Sequence, residues 1–231
     1  MGIKERAIIG IVLIVSLSLF LFLKTRTRKS RINTKFIAKT SIFAAFSIIL
    51  YLVPVFNFEL VGVFPSFLKI HFDEVPVFIA GFAYGPLSAG LILVVKTLAK
   101  LPLSSTHGVG ELADLIYSAA FIIPASLIYK KTMKSAFMGL FIGAIIQILT
   151  AATVTTFAIL PFYMYVMGLP KAVILGLCQA INKNITDLSW PFFFYVGIPF
   201  NALKDVMVVV ITLVLYKRLH RLIDEMAASI Q

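Results

Sequence analysis

Long apolar runs, each closed by a short cluster of charge, Gly or Pro, make up most of the chain. Residues 7 to 23, AIIGIVLIVSLSLFLFL, are uninterrupted and just long enough to cross a bilayer at ~1.5 Å rise per residue. A second run, 36 to 56, predicts the first helix of a core. Residues 57 to 70 then turn loop-like, apolar but broken by Gly62 and Pro65. Asp73, Glu74 and Pro76 open a short helix ending at Tyr84, where Gly85-Pro86 stops it and starts another that runs to about Leu98. After the turn PLSSTHGVG, a helix begins near Glu111 and runs through Pro124 to Tyr129, and a long one covers 135 to 160. Residues 161 to 200 are apolar yet interrupted by Gly168, Pro170, Asn182, Asp187, Pro191 and Gly197. No span of ~20 residues fits there, so the pattern predicts an interfacial helix near 171 to 181 and an aromatic flap, SWPFFFYVG. A last helix covers about 201 to 216. The pattern as a whole is that of an all-α polytopic membrane protein, with six core helices and one extra N-terminal transmembrane helix.

Composition agrees: 60% of the 231 residues are hydrophobic and 13% charged, and the mean hydropathy is +1.00. The 21 Lys and Arg against 10 acidic residues would suggest nucleic acid in a soluble protein, but here they flank apolar runs. Basic groups at 24–39, 130–134 and 217–221 belong inside the cell, which puts 57–71, 100–108 and 161–200 outside and the C-terminus in the cytoplasm. Residues 1–30 form an extra helix with a basic linker, 31–222 the membrane domain and 223–231 a cytoplasmic tail. The run over 7 to 23 has no small-residue cleavage site and precedes a heavy basic load, which favours a retained helix over a signal peptide. Neither an H-E-x-x-H motif nor a G-x-x-x-x-G-K-[ST] loop occurs, so the chain carries no zinc-protease signature and no nucleotide-hydrolysing loop of its own.

Charges inside such a chain mark candidate chemistry. The stretch from Lys69 to Asp114 and the sequence Pro199-Phe200-Asn201-Ala202-Leu203-Lys204 are the two halves of a candidate site. Asn201 and Lys204, three apart, share a helical turn and suit the carbonyl and N–H edge of a flat heterocycle. The same spacing equally fits a helix N-cap followed by a lysine reaching for the interface. Phe64 and Phe67 can stack on a ring. Lys96 and Lys100, one turn apart at a helix end, read as lysines reaching for the interface. Asp73, Glu74, Glu111 and Asp114 stand where the positive end of a helix dipole accommodates acids. No arginine lies between Arg31 and Arg218, so a phosphate or carboxylate clamp is absent from the core. The small-x-x-x-small pairs Thr40 with Ala44 and Ser41 with Ala45 allow close helix approach, to a partner or within the bundle.

FLKIHFDEVPVFIAGFAYGP, then STHGVGELAD, then PFNALKDV resemble, in that order, the substrate-binding S components of energy-coupling-factor (ECF) vitamin transporters, and within them the riboflavin-specific RibU type. The resemblance spans about residues 36 to 220. It implies a six-helix S-component core in the cell membrane that takes riboflavin from outside and passes it on with an EcfT coupling subunit and two EcfA ATPases. It also implies no cofactor, no metal and no enzymatic activity. The family's PFNxxK signature places its flavin contacts on Asn201 and Lys204. A second family Asn falls on Thr155, where this chain departs. Lys69 and Glu111 fall within the matching text and join the candidate substrate contacts, and the small-residue face that docks on EcfT falls on Ser41, Ala44 and Ala45. Two alternatives stand beside this reading: an S component for another vitamin, and a membrane-embedded enzyme using Glu111 and Asp114, or Asp73 and Glu74, as its acid and base.

Overall fold

A computed structural model of the protein describes residues 32–130 and 132–228, the last seven of these as backbone only. The expected helix over 7 to 23 lies outside the described residues. Helix α1 (Thr34–Leu52) opens on Asn33, whose side chain accepts from the Phe36 N–H. A two-residue antiparallel ladder follows, β1 (Asn57–Phe58) on β2 (Ile70–His71), and it ties together the two ends of loop 59–69. Asn57 also closes the end of α1, its amide donating to the carbonyls of Val53 (2.9 Å) and Tyr51 (3.1 Å).

Helices α2 (Glu74–Tyr84) and α3 (Pro86–Lys100) form the expected hairpin. Gly85 makes the turn at φ 90°, a backbone that glycine adopts without strain. Next come α4 (Val109–Ile128) and α5 (Met133–Val154), the latter begun by a reciprocal Thr132–Ser135 capping box. Two departures from the sequence pattern then appear. Helix α5 does not end near residue 160: a π turn (Thr155–Ile159) carries it past Pro161 into α6 (Leu160–Tyr165), where the proline occupies a first-turn position. The aromatic SWPFFFYVG segment is no flap. It forms α8 (Trp190–Phe192) and a second π turn (Phe193–Gly197) that runs straight into α9 (Ile198–Ala228). Between them lies the expected short helix, α7 (Lys171–Gln179).

Among the described residues, five helical stretches are long and apolar enough to cross a membrane, and α2 adds a shorter apolar helix packed among them. Chain direction alternates, so loops 53–73, 101–108 and 166–189 meet at one end of the bundle. The core has two parts. One joins α1 to α5 and α9 around Phe78, Phe121, Ile92 and Leu140; a smaller one gathers Leu160, Ile174, Cys178, Ile185 and Phe192 with Phe64 and Phe67 of loop 59–69. Close approach of α4 to α5 depends on two glycines. A Cβ at Gly143 would stand 2.4 Å from the Phe121 carbonyl oxygen, and one at Gly139 would stand 2.7 Å from that of Ala125.

Candidate functional site: a buried charge network beneath an aromatic loop

At the end of the bundle where the loops gather, ionisable side chains from five elements converge. Asp73 and Glu74 enter at the start of α2, and each is 0% exposed. Lys96, about one turn before the end of α3, is also fully buried. Its ammonium donates to Asp73, to Asp114 of α4 (3.0 Å) and to the Ser118 hydroxyl (3.4 Å). His71 of β2 lies between two carboxylates, with Nδ1 against Asp73 and Nε2 3.4 Å from Asp114 Oδ1. Ser118 donates onward to Glu74 Oε1 (2.9 Å), and Lys204 of α9 donates to the same oxygen at 3.1 Å. A charge left alone at this depth costs several kcal/mol, so the mutual pairing is what makes this arrangement stable.

Lys96 therefore does not reach for the interface as its position near a helix end suggested; Asp73 and Asp114 hold it inside. Glu74 and Glu111 do lie in first helical turns, but Asp73 is held by more than a helix dipole. The Asp73 side chain makes no capping bond to α2, and its partners are Lys96 and His71. Lys100 is half-buried and donates to the Tyr51 carbonyl (3.2 Å), while both ammonium groups stand about 5 Å from the Tyr51 ring, at 4.8 and 5.0 Å.

Asn201 is likewise no N-cap. Because α9 begins before it, Asn201 lies inside the helix, buried, and its amide donates to the Gly197 carbonyl of the π turn (2.8 Å) while its oxygen accepts from Gln147 (3.4 Å). Lys204, one turn on, is 3% exposed. Above this turn, Phe64 of loop 59–69 meets Phe200 edge to face, with centroids 5.3 Å apart. Phe67 stacks on Phe192 at 6.3 Å within the smaller core. Thr155, in the first π turn, pairs its hydroxyl with Tyr117 (2.9 Å).

The remaining candidates separate from this group. Lys69 is exposed and faces Glu59 (3.4 Å). Glu111 is buried but serves its own loop, accepting from the hydroxyls of Ser104 (2.6 Å) and Thr106 (3.2 Å). Glu111 and Asp114 thus have different partners and make no acid–base pair. On α1, Ala44 is buried in the bundle and Thr40 bonds Ser88 (2.9 Å), whereas Ser41 and Ala45 are exposed. Trp190 is 51% exposed, in a cluster with Phe157, Phe193 and Phe194 on the outer surface. Among the described residues no cluster of His, Cys, Asp and Glu has the makings of a metal site.

Sequence reasoning missed the roles of His71, Asp73, Lys96 and Gln147 in this network. The available signal was HFDE, three ionisable residues in four positions at a strand-to-helix junction, beyond what one dipole needs.

A family model for the substrate-specific component of ECF transporters matches residues 35–216. The chain belongs to that family. This S component is 29% identical over 157 residues to the riboflavin transporter RibU of Staphylococcus aureus, covering 67% of this chain and 76% of that one. It is 24% identical over 198 residues to the riboflavin transporter FmnP of Bacillus subtilis, covering 84% and 97%. Its fold matches the solved S component of a bacterial ECF transporter with a TM-score of 0.62, at 26% identity over 81% of this chain and 96% of the other. The expected six-helix S-component architecture is thereby established for the described residues.

Proposed function

We propose that this S component binds riboflavin at the outer face of the cell membrane and hands it to an EcfT coupling subunit driven by two EcfA ATPases. The observation that carries the proposal is the Asn201–Lys204 turn of α9, buried beneath Phe64 and Phe200, in a chain whose relatives are named riboflavin transporters. In this reading Asn201 and Lys204 address the carbonyl and N–H edge of the isoalloxazine, and Phe64 covers the ring. Nanomolar binding corresponds to about 12 kcal/mol and requires nearly complete enclosure, which loop 59–69 supplies by closing from its two-strand stalk.

The absence of arginine between Arg31 and Arg218 supports a neutral flavin over a phosphorylated or acidic ligand. Thr155 replaces an amide with a hydroxyl shared with Tyr117, and Phe67 shapes the same wall from the smaller core. Lys69 and Glu111 are assigned supporting roles, the first at the rim of the loop and the second in ordering the 104–108 turn. Residues 1–30 are assigned to an extra helix and its linker, 31–222 to the binding domain and 223–231 to a cytoplasmic tail. Ser41 and Ala45 are assigned to the face that meets EcfT, with Ala44 packed behind them.

Purified protein titrated with riboflavin should quench flavin fluorescence stoichiometrically and turn yellow. Asn201→Ala and Lys204→Ala should each weaken binding about ten- to a hundredfold, the loss of one to two hydrogen bonds, one of them charge-assisted. Protein that ignores micromolar riboflavin refutes the ligand and directs a screen of other vitamins.

A further inference from the structure

Lys204 and Glu74 form an ion pair that solvent does not reach. Their atoms are 3.1 Å apart and their residues 3% and 0% exposed. An ammonium so engaged still offers a ligand N–H donors but little uncompensated charge. The groups around it lean further toward the acidic side. Glu74 and Asp73 come from the start of α2, Asp114 from α4, and Asp205 follows Lys204 on α9, while Lys96 of α3 is engaged by Asp73 and Asp114. Asp205 is buried with both oxygens unpartnered, which favours its neutral form, so three carboxylates stand against two ammonium groups, and His71, between Asp73 and Asp114, adds at most one positive charge. Glu74 also keeps acceptor capacity in reserve. Its Oε1 accepts from both Ser118 and Lys204, but its Oε2 is buried without a hydrogen-bond partner, as is Gln147 Oε1 beside Asn201. Buried free acceptors favour an N–H donor and oppose an anion.

We propose that Glu74 sets the charge selectivity of this site: by cancelling the charge of Lys204, it admits a neutral ring that keeps its N–H and rejects an anionic one. The proposal rests on the flavin reading above, with Lys204 at the carbonyl and imide edge of the ring. Glu74 acts through Lys204 and is a positioning residue. Lys204 alone would attract the deprotonated imide; paired with Glu74 it does not.

The imide N–H of riboflavin is lost in alkali with a change in the visible spectrum, so the bound ligand reports the charge around it. The experiment titrates the full-length protein–riboflavin complex with base, beside free riboflavin. In the wild type, the bound imide should ionise no earlier than that of the free flavin. In Glu74→Gln, the unopposed ammonium should bring ionisation down by about one to three pH units relative to wild type, the usual effect of an unscreened opposite charge within ~4–6 Å. Ser118→Ala, which removes a hydrogen bond from Glu74 but no charge, should weaken binding and leave the imide where it was. Ionisation below that of free riboflavin in the wild type overturns the proposal without recourse to any variant, so a Glu74→Gln protein that fails to fold does not shelter it. An unshifted imide in a Glu74→Gln protein that still binds, or an equal shift in Ser118→Ala, overturns it as well. Wild-type protein that takes up no riboflavin overturns the flavin reading and this one together; wild-type binding with an imide that ionises before that of free riboflavin overturns this one alone.

Discussion

Lys96 shows how far a single side chain's role depends on residues remote in sequence. It bonds Asp73, 23 positions earlier, and Asp114, 18 positions later, and nothing in the spacing of its own helix announces either partner. Lys96→Ala should leave Asp73 and Asp114 buried without a cation between them. The expected loss is about 3–5 kcal/mol, the range for breaking one side of a buried ion pair, and a lowered thermal unfolding midpoint in detergent is the measurement that checks it. Lys69→Ala, at an exposed pair, should leave that midpoint in place. At this scale the sequence was half legible. Positions three apart on a helix must share a turn, so Asn201 and Lys204 were readable as a pair. Their partners Gln147, Gly197 and Glu74 come from elsewhere in the chain, and Asn201 is barred from capping because its helix starts well before it.

Among the elements, the long apolar runs gave reliable helices because lipid leaves a spanning segment few other ways to satisfy its backbone. The errors fall where Pro and Gly normally end a helix. Pro161 and Pro191 sit at first-turn positions, and each is followed or preceded by a π turn whose extra residue shifts the helix face without breaking it. A periodicity argument cannot detect that insertion, and so it lost the start of α9 and with it the setting of Asn201. The packing of α4 on α5 is a sharper test at this scale. Gly143→Ala places a methyl carbon 2.4 Å from the Phe121 carbonyl oxygen and forces the two helices apart. Overpacking of this kind costs about 1–3 kcal/mol. A lower unfolding midpoint than in Gly176→Ala, where a Cβ meets no atom within 4 Å, is the expected outcome.

For the molecule as a whole, the alternating direction of the helices puts loops 53–73, 101–108 and 166–189 at one end, and the proposed topology makes that end external. The chain has one cysteine, Cys178, 0% exposed, and burial pushes its thiol up to about 11. At neutral pH it is a poor nucleophile, so the protein carries its own quiet background for labelling. In intact cells, a membrane-impermeant maleimide should label Ser105→Cys at once and Lys134→Cys only after permeabilisation; the reverse order would invert the topology. The network at the end where the loops gather also bears on how the chain enters the bilayer. A lysine deep in a helix makes that helix a poor substrate for insertion by itself, by as much as ~3 kcal/mol when centrally placed. Since the partners of Lys96 lie on both sides of α3 in the chain, the segment from Asp73 to Ser118 is expected to insert as one unit, with α3 settling into lipid when α4 arrives with Asp114.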